Sequence, residues 1–144
     1  MIGIGNDHAA VELKNEIVAY FKENNIEYID FGCGEGEVCD YPDAAKLVCD
    51  SVVSGDCDKA ILICGTGVGI SIAANKIKGI RAACCSDTFS AKYTRLHNDA
   101  NALCIGARVV GAGLALELVN VFLNTEFEGG RHQRRVDLIT KLEK

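Results

Sequence analysis

The chain has 144 residues, of which 49% are apolar and 24% are charged, a balance typical of one globular domain rather than a disordered chain. Its formal net charge of -5 argues against general attraction to nucleic acids or acidic membranes, although a local basic pocket stays possible. Charge at Asp7 leaves no room for a signal peptide, and Arg108 and Glu117 interrupt the longest apolar region, 102–123. We therefore expect a cytoplasmic protein with a single domain over 1–144.

Short apolar strands alternate with helical patterns along the whole chain, beginning with a strand over 2–5. An apolar stripe at Leu13, Ile17 and Phe21 predicts a helix over 11–24. The alternation predicts a five-stranded parallel sheet with helices on both faces, a Rossmann-like three-layer α/β/α domain. The remaining predicted elements are strands at 27–31, 60–64, 80–85 and 102–106, and helices at 43–54 (capped by Asp43), 71–76, 87 or 88 to 97, 112–123 and 134–143.

Polar or reactive side chains follow each predicted strand. Ligands of open parallel sheets bind outside the carboxyl ends of the strands, so these side chains are expected to gather at one edge. In strand order they are Asn6, Asp7 and His8; the loop 32–36 with Asp40 and Tyr41; Cys64 with the loop 65–69; Ser86 and Asp87; and Arg108.

The segment GTGVG, residues 65–69, forms a glycine-rich turn directly after the third strand. Glycines let a backbone approach a ligand closely, and amides at a helix start attract negative charge. A dinucleotide fingerprint would need a third glycine where Ile70 stands and would follow the first strand, although Asp87 stands at a suitable distance for a ribose contact. The turn favours a cradle for a small anion. A dinucleotide-dependent oxidoreductase and a turn that binds nothing are the alternatives.

The eight cysteines include no C-x-x-C pair, and with only three histidines they give no spacing typical of zinc. Most are expected to be small buried hydrophobes in a reducing compartment. Cys64 differs because it directly precedes the glycine turn. A thiolate there could remove a proton from carbon while backbone amides stabilise the resulting enediolate. A buried strand cysteine without a chemical role is the alternative.

Three further positions admit both a chemical and a structural role. His97, followed by Asn98, could act as an acid or base near neutral pH, or could cap the end of a helix. Asp7 could contact a ligand or cap the first helix. Tyr41 could line a site or be a packed loop aromatic.

The one dense basic run of this acidic chain is GGRHQRR, residues 129–135. Arg131 and Arg135 are four residues apart and share a face if the segment is helical. Two guanidinium groups on one face suit a phosphate. A solvated helix surface is the alternative.

Together these motifs resemble the type B ribose-5-phosphate isomerases and the related galactose-6-phosphate isomerase subunits, nearly end to end. The resemblance implies a cofactor-free and metal-free aldose–ketose isomerisation through a cis-enediol(ate), with ribose 5-phosphate of the pentose phosphate pathway as the first expected substrate. Allose 6-phosphate, galactose 6-phosphate and a catalytically silent sugar-phosphate sensor are the alternatives. The motifs are DH at 7–8, DYP at 40–42, ICGTGVG at 63–69, AANK at 73–76, HND at 97–99, GARVV at 106–110 and EGGRH at 128–132.

The resemblance also implies a role for each matching position. Cys64 matches the base that moves a proton between C1 and C2, and Thr66 matches a hydroxyl that serves O1 and O2. Some relatives use a glutamate where Ile70 stands, so this chain looks like the cysteine branch. His97 matches the group that opens the furanose ring, with Asp7 close to the sugar. The other matches are the amides of Gly65, Gly67, Val68 and Gly69 for the anion hole, Tyr41 and Asn98 for the sugar, and His8, Arg108, Arg131 and Arg135 for the phosphate.

The resemblance finally implies a homodimer whose active site is shared between chains. His97, Asn98 and Arg108 would come from the partner chain, and whether dimers pair into tetramers stays open. No nucleic-acid or membrane partner is expected.

Overall fold

The computed structural model describes residues 1–143 and contains, within them, five strands and six helices. All strand pairs are parallel, and the sheet order is β2-β1-β3-β5-β4. This confirms the predicted α/β fold with a five-stranded parallel sheet between helices. The elements are β1 (Ile2–Asn6), α1 (Val11–Glu23), β2 (Tyr28–Asp30), α2 (Tyr41–Val53), β3 (Lys59–Cys64), α3 (Val68–Ala74), β4 (Ala82–Cys84), α4 (Thr88–Asn98), β5 (Ala102–Gly106), α5 (Ala112–Asn124) and α6 (Arg131–Thr140).

The central strands are buried on both faces, as the continuous apolar runs of their sequences require. Successive side chains of a strand point to opposite faces, so β3 serves two separate cores. Ile61 and Ile63 pack with residues of α1, α4 and α5. Leu62 and Cys64 pack with residues of α2 and α3. Within residues 1–143, we find no helix with the length and apolar character that crossing a membrane demands.

Three helices begin earlier than the sequence patterns predicted. The N-cap of α2 is Asp40, so the prediction that Asp43 caps this helix was wrong. Pro42 follows in the first turn, where its missing N–H costs no hydrogen bond. The helix α3 begins at Val68, inside the glycine turn, and α6 begins at Arg131.

The glycine turn after β3 lies directly on the end of β5. A Cβ atom on Gly106 would lie 2.5 Å from the carbonyl oxygen of Thr66. A Cβ atom on Gly67 would lie 2.9 Å from the carbonyl carbon of Ile105. Gly67 also has a φ of 81°, in the left-handed region that favours glycine. These two glycines therefore let two backbone segments touch and hold the turn in place.

We expect Gly106→Ala to lower the free energy of unfolding by about 1–3 kcal/mol, because the added methyl group meets backbone that cannot rotate away. Gly113→Ala is the matched control. Its added Cβ meets nothing within 4 Å, and the residue lies in α5. Gly113 is the second residue of α5, and alanine there has less freedom in the unfolded chain than glycine, so this control should be neutral or stabilising. Guanidinium unfolding measures both, and equal effects would contradict the close-contact interpretation.

Candidate active site

A first group of the predicted site residues gathers at the carboxyl edge of β1, β3 and β5. Cys64 at the end of β3 is in register with Gly106 at the end of β5. The amide of Asp7 donates to the carbonyl of Ile63 at 3.2 Å, which sets the segment after β1 beside the end of β3. The amide of Arg108 donates to the carbonyl of Gly65 at 3.0 Å. Loops from three neighbouring strands thus meet around the glycine turn.

Cys64 is buried, with 4% of its surface exposed, and its sulfur faces back into the turn. The amide nitrogen of Gly67 donates to Sγ of Cys64 at 3.2 Å. The thiol and the amides of the turn are therefore immediate neighbours, as a base needs to be if it acts beside an oxyanion cradle.

The turn presents backbone donors next to this thiol. Gly67 is the N-cap of α3, and the first amides of a helix have no partner inside it. Oγ1 of Thr66 accepts a hydrogen bond from the amide of Val68 at 3.2 Å, which leaves the hydroxyl hydrogen of Thr66 able to donate elsewhere. The ring of Tyr41 covers Gly69, where an added Cβ would lie 2.8 Å from Cε1. Thr66 and Tyr41 therefore both lie at the glycine turn, and their contacts with a sugar stay a prediction.

Three other predicted residues belong to this first group. Oδ1 of Asp7 accepts from the amide of Ala9 at 3.0 Å and closes a turn before α1, whose N-cap is Ala10. The alternative that Asp7 caps α1 is therefore wrong. Nδ1 of His8 lies 3.0 Å from the carbonyl oxygen of Cys39 and 3.3 Å from its amide nitrogen. Nη1 of Arg108 lies 3.4 Å from the place of a Gly65 Cβ, beside the turn of its own chain.

A second group lies at the opposite end of α4. This helix starts at Thr88, after the carboxyl end of β4, and its 11 residues lead back to the start of β5 at Ala102. A helix of that length spans about 15 Å, so it carries His97 and Asn98 away from the turn. The C-cap is Asp99, with a φ of 47°, so His97 lies in the last turn and is not the cap. The structure thus does not bring His97 to Cys64 within one chain.

The ring of His97 stacks on His132, the second residue of α6, with centroids 4.0 Å apart and planes 13° from parallel. Arg131 and Arg135 lie on the same helix and are four residues apart. The second group therefore combines the predicted ring-opening histidine with two of the predicted phosphate ligands.

Glu128 joins the two histidines. Its Oε2 lies 3.7 Å from Nε2 of His97 and 3.7 Å from Nε2 of His132. Its amide donates to the carbonyl of Leu96 at 3.1 Å, which ties the segment before α6 to α4. Burial, followed by the neighbouring imidazole of His97 and the charge of Arg131, lowers the pKa of His132, so its ring is uncharged near neutral pH. Neither Glu128 nor His132 was assigned a role from the sequence.

Both carboxylate oxygens of Asp87 are engaged in hydrogen bonds at the start of α4. Its two carboxylate oxygens accept from the amide of Ser90 at 2.7 Å and from the hydroxyl of Ser90 at 2.9 Å, so it caps α4. A carboxylate used in this way is poorly placed to bind a ribose, which weakens the dinucleotide alternative.

The eight cysteines all lie in the described part of the chain as free thiols, and six of them are buried. This confirms the prediction that most are buried hydrophobes. Burial raises the pKa of Cys49 to about 12 and that of Cys85 to about 11, so both stay protonated near neutral pH. Cys84 is the exposed member of the set.

We expect iodoacetamide at pH 8 to modify Cys84 in the folded protein and to leave Cys49 and Cys104 intact. Burial raises the pKa of all three thiols, so the expected difference comes from access, because Cys49 and Cys104 are fully buried and Cys84 is exposed. Peptide mass spectrometry after timed quenching measures each site, and guanidinium-unfolded protein, in which all eight should react, is the control. Alkylation of Cys49 at the rate of Cys84 would contradict this expectation.

Comparisons with known proteins agree along nearly the whole chain. The ribose/galactose isomerase family matches residues 2–139. The Bacillus subtilis protein YwlF, provisionally named a sugar phosphate isomerase, is 56% identical over 99% of this chain and 96% of its own. Ribose-5-phosphate isomerase B of Escherichia coli is 52% identical over 99% of this chain and 95% of its own. The solved structure of ribose-5-phosphate isomerase B from Clostridium thermocellum superposes with a TM-score of 0.96, at 52% identity, over 98% of this chain and 95% of that one.

Proposed function

The chain belongs to the ribose/galactose isomerase family, and we propose that it interconverts D-ribose 5-phosphate and D-ribulose 5-phosphate without a cofactor, the isomerisation of the pentose phosphate pathway. The observation that carries this proposal is the contact between Sγ of Cys64 and the amide of Gly67, 3.2 Å apart at the mouth of the glycine turn. The thiol proposed as the base that takes a proton from carbon therefore lies beside the amides proposed as donors to the developing oxyanion. The names of the Escherichia coli and Clostridium thermocellum relatives support this choice of sugar.

The proposed chemistry begins with the open-chain aldose. Cys64, as the thiolate, removes the proton from C2, the C2–H electron pair forms the C1–C2 double bond, and the carbonyl pair moves onto O1. The amides of the turn and the hydroxyl of Thr66 donate to the negative oxygen of this cis-enediolate. A proton passes from O2 to O1, Cys64 returns its proton to C1, and O2 becomes the ketose carbonyl. No electron leaves the substrate, so the step needs no redox cofactor.

Ring opening is assigned to His97, which could act as acid and base on the furanose near neutral pH. His97 lies near the end of α4, away from the carboxyl edge of the sheet where Cys64 ends β3, so a complete site requires a second copy. We therefore propose a homodimer in which the second group of one chain faces the glycine turn of the other. Arg131 and Arg135 would arrive with His97 and would bind the phosphate together with His8 and Arg108. In this arrangement Arg108 belongs to the chain that supplies the turn, beside which it lies, and not to the partner chain as the resemblance implies.

The surface around the turn supports such a contact. Val68, Ile72 and Val109 lie on or next to the turn segments, and each exposes more than half of its surface, at 51%, 58% and 58%. Apolar side chains grouped around a polar site are typical of a surface that another protein covers.

Cys64→Ala should lower turnover of ribose 5-phosphate by about 10²–10⁴-fold, the usual contribution of a general base, while sugar-phosphate binding stays nearly intact. Chelator-treated protein is followed by NMR in deuterated water, in which the native enzyme should place deuterium at the exchanged carbon of ribulose 5-phosphate. Calorimetry measures binding.

Cys57→Ala is the matched control, because Cys57 is another buried thiol but lies before β3, at the far edge of the sheet. It should keep native turnover. Near-native turnover of Cys64→Ala would remove Cys64 as the base. If the native protein is inactive on ribose 5-phosphate but converts allose 6-phosphate or galactose 6-phosphate, the sugar is wrong and the chemistry stands.

A shared site predicts complementation between two impaired variants. Cys64→Ala and His97→Asn should each be strongly impaired alone. An equal mixture, refolded together, should recover about a quarter of native activity, because about half of the dimers are mixed and each mixed dimer has one intact site of two.

Thr66→Ala mixed with Cys64→Ala is the control, since both changes lie in the same group and a mixed dimer then leaves no site intact. Steady-state rates before and after joint refolding measure the recovery. If the Cys64→Ala and His97→Asn mixture shows only the sum of its separate activities, the site is not divided between chains in this way.

A further inference from the structure

Glu128, His97 and His132 form a cluster that the proposed isomerisation does not use as a unit. One ligand-capable atom from each residue lies within 4.8 Å of the others. We propose that this cluster is an inhibitory site for zinc or a similar divalent transition ion, which binds through the two Nε2 atoms and the Glu128 carboxylate. Occupation of the site would withdraw His97 from the sugar.

The donor set suits zinc. Two imidazoles and one carboxylate with an open fourth position are a common zinc environment, with bonds of about 2.0–2.2 Å that put ligand atoms about 3.4 Å apart in a tetrahedron. Oε2 of Glu128 already lies 3.7 Å from each Nε2. Because 3.7 Å exceeds the tetrahedral spacing of about 3.4 Å by only a few tenths of an ångström, the Glu128 carboxylate needs to move by only that much.

The stacked rings require one larger adjustment. Their planes are 13° from parallel, so the nitrogen lone pairs run side by side instead of converging on one point. The side chain of His132 is 9% exposed and is held by packing, whereas that of His97 is 37% exposed. His97 is thus the ring that turns out of the stack. A bound ion would hold the His97 ring in this turned orientation, so the ring would no longer be free to act on the furanose.

Some charges around the cluster favour the binding of a cation and others oppose it. The Glu128 carboxylate supplies negative charge to the cluster, and a neutral imidazole offers a ring lone pair to an ion. Arg131 and Arg135 lie on the same helix as His132 and repel a dication. The net effect is a reversible site suited to regulation by free zinc rather than a permanently occupied metal centre. Binding does not depend on the proposed function, whereas the inhibitory effect rests on it.

Cobalt(II), a spectroscopic substitute for zinc, tests the binding. Tag-free, chelator-treated protein is titrated with Co²⁺ and followed by its visible d–d absorption, and Zn²⁺ should then displace the cobalt and abolish the signal. Glu128→Gln and His132→Asn should each weaken Co²⁺ binding by about tenfold or more. Glu128 is half-exposed, so its substitution should leave the fold intact, and circular dichroism checks this for both variants.

His8→Asn is the matched control, because His8 is the remaining histidine of the chain and lies outside the cluster. It should bind Co²⁺ like the native protein. A thiolate charge-transfer band, or equal affinity of the native protein and Glu128→Gln, would overturn the site. In the activity assay, Zn²⁺ should inhibit the native enzyme and should inhibit Glu128→Gln only at about tenfold higher concentration.

Two outcomes separate the claims. Cluster-dependent Co²⁺ binding together with full activity in saturating Zn²⁺ would overturn the inhibitory effect. Cluster-dependent Co²⁺ binding by a protein that converts no sugar phosphate would remove the proposed function and uphold the metal site.

Discussion

The contact between the backbones of Thr66 and Gly106 determines where every group around the glycine turn lies. Because a Cβ on Gly106 would lie 2.5 Å from the carbonyl oxygen of Thr66, the turn can rest on β5 only where a hydrogen stands in place of a side chain. β5 pairs with β3 at Cys64, so the strand that supports the turn also fixes the residue that directly precedes it. Backbone contacts therefore hold the Cα atom of Cys64 and the amides of the turn in fixed relative positions.

The direction of α4 is the second constraint, and it divides the polar residues into two groups. Every helix that follows a strand in a parallel sheet has to run back to the starting edge, so a residue near its end is remote from the residue that follows the strand. His97 is such a residue, and its neighbours are Glu128, in the segment before α6, and His132, in the first turn of α6. In the proposed homodimer, association would bring the second group of one chain to the glycine turn of the other.

The fold was largely predictable because fully buried strands and amphipathic helices leave different periodicities. The errors lie at helix starts. Two aspartates flank the Tyr41–Pro42 pair, and propensity alone does not decide between Asp40 and Asp43 as the N-cap of α2. The residues of the glycine turn were also predictable, since glycine, cysteine and helix start are adjacent in sequence. The Glu128 cluster was not, because it depends on the packing of α4 against α6, and positions 97 and 132 show no common pattern.

The way in which His8 is held has a consequence for how substrate preference could evolve. Its ring contacts the carbonyl and amide of Cys39, which are backbone atoms that every residue except proline supplies. The side chain at position 39 can therefore change while the histidine stays in place. Gly67 and Gly69 of the turn have no such freedom, because an added Cβ would collide with the backbone of Ile105 or with the ring of Tyr41. Under the proposed function, adaptation to longer or shorter sugars would then accumulate in the loop over 32–40 while the glycine turn stays constant.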